Sequence, residues 1–424
     1  MKTESRLSSL YFISLPFLML IPNWTVIDIK GMLWFYMSIL NTLFIVYIVI
    51  LRPQKTFEFL KEKSFISFSF FFLISSLSTI VAINKAESLM RITDFYVILS
   101  TLFVMLYFIY NNAIKSKTIL IIVLSSLILE IMGSYFQLYQ IFDFNGVFIA
   151  EDGGSVKSVY PNRNMASFVF VVKIFLISIL VNLTKSKILK FLIFIINLST
   201  LYIVLLMSSR AVLLILFLIF IITVLSLVFK NFINKKSIKN DLSSLKYFIL
   251  PLISAIVIFN LTITEDPELK VNNRVNSTFS QSDESVNNRL RFYSHAFTQI
   301  KSTPFLGVGV GNWRIKSIDY DKENMFSYVV PYSVHNDFLE VFAETGFFGF
   351  ISFFLFFYFI FIKIFRGFLK WLNTQKNISL VYLLFAFLIM IGDFSLNFPL
   401  DRPSTLITYL LFFSVYKTID TQNK

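Results

Sequence analysis

Residues 264–346 read TEDPELKVNNRVNSTFSQSDESVNNRLRFYSHAFTQIKSTPFLGVGVGNWRIKSIDYDKENMFSYVVPYSVHNDFLEVFAETG. The stretch holds both histidines of the chain, His295 and His335, with 8 of the 38 Lys/Arg and 11 of the 25 Asp/Glu. On either side nearly everything is apolar. Of 424 residues, 56% are hydrophobic and 15% charged, and Phe alone occurs 53 times. Mean hydropathy is +0.73, whereas soluble domains carry roughly 25% charged residues. The polar stretch is therefore a loop between membrane spans. The fold class that follows is an all-α polytopic membrane protein with one large loop outside the bilayer.

Working outward, runs of about 17–25 apolar residues mark spans. About twelve transmembrane helices are expected: 7–23, 31–51, 65–83, 94–110, 118–142, 165–183, 188–207, 211–229, 247–262, 346–364, 378–396 and 404–417. The first follows MKTESR in the manner of a signal peptide, but no small-x-small cleavage site follows, so it reads as an uncleaved span. The division is 1–262 with nine helices, 263–345 as the large loop with its own helices, and 346–424 with three helices. Connector charges alternate. With the N-terminus cytoplasmic, the inner connectors hold 22 Lys/Arg against 5 Asp/Glu, and the outer ones 15 against 18. The positive-inside rule then sets both termini in the cytoplasm and the large loop outside. The same rule accounts for the net charge of +13 without nucleic acid as a partner. The chain has no cysteine, which excludes disulfides and thiolate metal sites. No repeat, heptad seam or low-complexity tail is visible.

Within the loop, Ser285 to Ile300 has helical spacing. Val286, Leu290, Tyr293, Phe297 and Ile300 fall on one stripe, expected to be the packed face. Arg289 lies at its edge, and Arg291 and His295 are expected to face solvent. Pro304 ends the helix. Gly307, Gly309 and Gly311 alternate after it, without the strand and helix that a nucleotide fingerprint requires, so they read as turn and close-approach glycines. His335 precedes a short helix of Phe338, Leu339, Val341 and Phe342, with Gly346 as its C-cap and a span immediately after. At a helix N-terminus the imidazole stays neutral. A neutral imidazole can act as general base, oriented by Asp337 or Glu340; the alternative is a His that merely caps the helix.

Other charges lie at membrane level. Arg210, in Ser208-Ser209-Arg210-Ala211, stands at the outer end of a span, and Arg163 in Tyr160-Pro161-Asn162-Arg163-Asn164 at the mouth of another. Both positions suit interfacial anchoring as well as function. Glu130 and Lys173 are expected to pair between adjacent spans, and Asp393 also lies near the hydrocarbon. Such charges alone would also fit a proton-coupled transporter.

At three places the sequence resembles the O-antigen ligase and polymerase superfamily of bacterial lipid-linked glycan transferases. SSRA at Ser208–Ala211 is similar to that family's Ser-Arg at the outer end of a span, with Ala211-Val212 where Gly-Ala is usual. RLRFYSHAFTQIKSTPFLGVGVGNW matches Arg-x-x-x-Trp/Tyr, then Ala, then Pro-x-x-Gly-x-Gly, with Tyr293 where Trp is common. HNDFLEVFAETGFFG is close to His-Asn-x-x-Leu…Glu-x-Gly-x-x-Gly. The resemblance implies a fold similar to GT-C-type integral-membrane glycosyltransferases, in the bacterial inner membrane with the loop periplasmic. It implies transfer of a glycan from undecaprenyl diphosphate to an acceptor hydroxyl, with no metal and no cofactor. Carried over, Arg289 and Arg210 hold the diphosphate, with Arg163 a third candidate, and His335 activates the acceptor. Asn336, Asp337, Glu344, Gly307, Gly309 and Tyr293 are supporting positions.

The residue chemistry agrees. Guanidinium forks suit the charge that develops on a diphosphate leaving group. A single attack at the anomeric carbon inverts it. The leading expectation is a ligase that places polysaccharide on a lipid A-core acceptor. The close alternative is a polymerase of repeat units, and the alternative of another class is a lipid-linked sugar flippase or transporter.

Overall fold

The computed structural model describes residues 2–21, 28–51, 57–145, 155–233, 238–262, 284–324, 332–374 and 378–422. Residues 263–283 and 325–331 of the large loop, and residues 22–23 of the first expected span, lie outside them. Among the described residues, the regular secondary structure is helical throughout. Ten helices are long and apolar enough to cross a membrane, and the chain is a multi-pass membrane protein. They comprise α2 (Ile29–Leu51), α3 (Lys63–Ser78, extended by a 3-10 turn), α4 (Lys85–Tyr110), α5 (Ser116–Asn145), α6 (Arg163–Leu183), α7 (Lys187–Met207), α8 (Arg210–Val228) and α9 (Lys239–Thr262). After two loop helices, α10 (Glu284–Ser302) and α11 (Trp313–Asp321), come α12 (Asp337–Asn373) and α13 (Ile378–Leu396). The first and last expected spans are helices too: α1 (Lys2–Phe17) has 16 residues, and α14 (Pro403–Gln422) carries Lys417 and Asp420.

Short polar side chains set the helix starts. Asn84 accepts from Ala86 N and Glu87 N, Asn162 from Met165 N and Asn336 from Leu339 N, which satisfies first-turn donors that lack a helical partner. Two helices form the centre of the bundle. α6 is buried continuously from Met165 to Val181 and α14 from Pro403 to Thr418. α6 packs on α5, α7 and α13, and α12 lies along α3 and α13. The expected pair is present: Lys173 Nζ is 2.5 Å from Glu130 Oε1, both fully buried. Asp393 accepts from Asn397 Nδ2 at 2.6 Å and Tyr409 Oη at 2.5 Å, a polar knot that ties α13 to α14.

α12 reaches past the bilayer. It consists of two helices meeting at Gly346, and residues 347–373 alone span ~40 Å at 1.5 Å per residue, against ~30 Å of hydrocarbon. Its first turns therefore belong to the loop structure. The boundary is Gly346, at φ 69 and ψ −168. A Cβ there would lie 2.1 Å from Phe305 O. Phe347 N donates instead to Pro304 O at 2.8 Å. Gly346 thus ends the short first helix, as expected of its C-cap, and the spanning helix begins directly after it.

Candidate active site

α10 supplies the first wall, and its packed face differs from the expected stripe. Val286, Leu290 and Phe297 are exposed (38%, 60% and 52%), while Ala296, Gln299 and Ile300 are buried. The side that packs is rotated toward Tyr293, Ala296 and Ile300, which meet Trp313, Val334 and Ala343 in a small core of their own. Arg291 and His295, expected in solvent, face α11. Arg291 Nε is 2.8 Å from Asp321 Oδ1, and His295 stacks on Tyr320 at 5.7 Å with Nδ1 3.9 Å from Asp321. A buried carboxylate on α11 recruits both, overriding the apolar period.

Arg289 has no such partner. Its Nε is buried without a hydrogen-bond acceptor among the described residues, and burial pushes its pKa down. A guanidinium nitrogen buried without an acceptor is costly to folding unless an anion completes it.

His335 sits two residues before α12 with φ 59. A left-handed non-glycine backbone costs roughly 1–3 kcal/mol and persists only where its surroundings force it. Four bonds do so here. Val334 N donates to Glu340 Oε2 at 2.8 Å, and the Tyr293 hydroxyl lies 3.2 Å from His335 O. Asn336 caps α12, accepting from Leu339 N at 3.0 Å, and Asp337 Oδ2 accepts from Leu400 N at 2.8 Å. The helix cap is therefore Asn336, not His335. Asp337 and Glu340 hold main chain, and neither carboxylate orients the imidazole.

The ring itself lies between aromatics. Phe292 stacks on it at 6.1 Å and 16°, and Phe398 meets it edge-on at 5.0 Å. Its Nδ1 is buried without a partner among the described residues. Burial, and then the charge of Arg289, lower its pKa to about 4. The imidazole is neutral at pH 7, as the helix-terminus reasoning expected, but by desolvation and a neighbouring cation.

The other supporting positions hold the scaffold. Gly309 N donates to Glu344 O at 2.9 Å, Val308 N to Ala343 O at 3.0 Å, and Trp313 N to Glu344 Oε1 at 3.0 Å. Gly307 has φ 66, and a Cβ on it would lie 2.4 Å from Glu344 C. The glycine run is a turn pressed against α12. Nearby, Asp401 is shared by Lys30 at 2.5 Å, Arg91 at 3.1 Å and Arg314 at 3.8 Å, which ties α2, α4 and α11 to the turn before α14.

Arg163 and Arg210 open helices at the same end of the bundle. Ser167, one turn into α6, donates to Arg163 O at 2.8 Å and touches Met207 Sδ at 3.3 Å. Met207 ends α7; Ser208 turns left-handed (φ 51), and Arg210 starts α8. α8 packs on α13, where a Cβ on Gly392 would strike Ile215 at 2.4 Å. Three residues on, Ser395 O lies 3.1 Å from the Tyr293 hydroxyl. The helix starts of Arg163 and Arg210 and the α13 terminus behind Tyr293 thus belong to one rim.

Two residues of this rim escaped sequence reasoning. Phe398 and Arg402 lie in NFPLDRP between α13 and α14, and the Arg402 guanidinium sits 5.1 Å over the Phe398 ring. Two adjacent opposite charges, Asp401-Arg402, in a turn between apolar helices were the available signal.

No curated protein matches the chain. Residues 192–354 match the family model described as O-antigen ligase. The match covers Arg210, Arg289, Tyr293, the glycine turn and His335; Arg163 and Arg402 fall outside it. Over these residues, with many apolar helices around them, the chain is similar to the O-antigen ligase superfamily.

Proposed function

We propose that this protein is a metal-independent, inverting glycosyltransferase that moves a glycan from undecaprenyl diphosphate to an acceptor hydroxyl. The match to the O-antigen ligase family model supports ligase or polymerase activity on lipid-linked glycan in a membrane. The finer reading is a ligase with a lipid A-core acceptor, at the periplasmic face of the inner membrane with both termini cytoplasmic. The described parts of the loop, 284–324 and 332–345, form one wall of the site, and helices from 1–262 and 346–424 form the other.

The observation that carries the reading is the pairing of two open groups. A neutral imidazole stands within electrostatic reach of Arg289, and among the described residues neither its Nδ1 nor the Arg289 Nε has a partner. In the proposed reaction the acceptor oxygen bonds to the anomeric carbon as the glycosyl–phosphate bond breaks. The electron pair leaves on the diphosphate, held by Arg289, Arg210 and Arg163. The acceptor proton passes to His335. Diphosphate beside Arg289 offsets the positive charge that depresses the imidazole, so donor binding strengthens the base.

A deletion strain tests this reading. Long glycan accumulating on the lipid carrier is expected of a ligase, and glycan cut to single repeats of a polymerase. Unchanged envelope glycan would overturn both.

A further inference from the structure

Phe398 has His335 at 5.0 Å and the Arg402 guanidinium at 5.1 Å. Arg402 also lines a cavity of about 810 Å³, with Lys157 and Tyr160 from the turn before α6, Lys30 from α2 and Ser404 from α14. Met19, Leu20 and Leu33 give it an apolar wall. The charges there are not equivalent. Lys30 is taken by Asp401, which also binds Arg91 and Arg314. The Asp28 carboxylate also lines the cavity and accepts from Gly31 N at 2.9 Å, so one carboxylate there faces Lys30, Lys157 and Arg402. Arg402 has no ion pair among the described residues, and its Nε is buried without an acceptor. An open guanidinium that shares a cavity with a second cation, Lys157, suits an anion.

Group transfer needs two substrates at one imidazole. On the proposed reading, on which this inference rests, the donor diphosphate occupies Arg289, Arg210 and Arg163. The Arg402 cavity is a second anion site that reaches the same ring through Phe398. We propose that it binds the acceptor, that this acceptor is an anionic glycan bearing phosphate or carboxylate groups, and that Arg402 is its principal charge-binding residue. The aliphatic wall fits the apolar faces of sugar rings, and the cations hold the charged substituent while the acceptor hydroxyl lies at His335.

The test uses donor and acceptor glycolipids extracted from a strain deleted for this protein, with full-length protein in detergent. Arg402→Ala is expected to raise KM for acceptor about 10- to 100-fold, the loss of a charged hydrogen bond, and to leave KM for donor within twofold. Arg402→Lys recovers part of the loss, and Lys157→Ala gives a smaller shift in the same direction. If the charged group is phosphate, phosphatase treatment of the acceptor erases the difference between wild type and Arg402→Ala; if carboxylate, carbodiimide reduction does. A rise in donor KM would assign Arg402 to the diphosphate and overturn the proposal, as would unchanged constants. If wild type transfers nothing, thermal stabilisation by the extracted acceptor separates the two ideas. Stabilisation lost in Arg402→Ala keeps the anion site and removes the transferase reading; equal stabilisation removes the site.

Discussion

The Tyr293 hydroxyl lies 3.2 Å from the main-chain oxygen of His335, so the tyrosine positions the histidine by its backbone and leaves the ring open. The same hydroxyl is 3.1 Å from Ser395 O. One side chain on α10 thus fixes the loop before α12 against the end of α13. Tyr293→Phe removes one neutral hydrogen bond, worth about 1 kcal/mol, and releases a strained backbone. A fall of kcat with little change in donor KM is expected. Equal falls in folded protein and activity would reduce Tyr293 to a stability role.

His335→Ala is expected to lower kcat for glycan transfer about 10²- to 10⁴-fold, the usual range for a general base. Protein abundance and membrane insertion should stay normal, since the ring makes aromatic contacts but no hydrogen bond through Nδ1. Transfer assays on protein quantified by immunoblot check this. Retained activity would remove the general-base assignment.

Arg289→Lys keeps the charge but loses the planar two-pronged fork. Donor KM should rise about tenfold or more, and Arg289→Ala should abolish detectable transfer. Kinetics with lipid-linked donor at fixed acceptor measure both.

The chain has only two histidines, so ¹⁵N-histidine NMR resolves each titration. His335 should titrate near pH 4, and His295 below the ordinary histidine value because it is partly desolvated. Arg289→Gln removes a positive neighbour and should move His335 upward. The sign for stability follows: the folded pKa is depressed, so stability is complete above about 6.5 and falls as pH drops toward 4. Melting temperatures of wild type should decline across that window, and those of His335→Gln should decline less.

Gly346→Ala places a methyl group 2.1 Å from Phe305 O at a φ of 69. Strain and overpacking together are expected to cost about 2–4 kcal/mol. A lowered melting temperature with reduced transfer checks it, and Gly133→Ala, whose Cβ would meet only Ser158 Oγ at 3.2 Å, serves as the milder control.

Hydropathy made the spans legible, because a segment that crosses hydrocarbon must be long, apolar and helical. The helix over 284–302 was equally plain from its period. Its orientation was not: Val286, Leu290 and Phe297 form an apolar stripe, yet they are exposed, and a period cannot say which side packs. His335 and Arg289 could be singled out by local sequence. The strained backbone of His335 and its lack of a carboxylate partner could not, since Leu400, Ser395 and Phe398 come from some sixty residues later. Arg402 stayed hidden for the same reason. Its meaning depends on Asp401 being occupied by three cations drawn from α2, α4 and α11.

The small core beneath the site has one member, Ala343, on α12, and the others, Ala296, Ile300, Trp313 and Val334, precede it in the chain. During synthesis at about 5–20 residues per second, Ala296 therefore waits several seconds for the wall it packs against. The helix that anchors this core is also the next to enter the bilayer. Assembly of the site is thereby coupled to the insertion of α12, and a ribosome stalled before that helix would leave α10 with its inner face unburied.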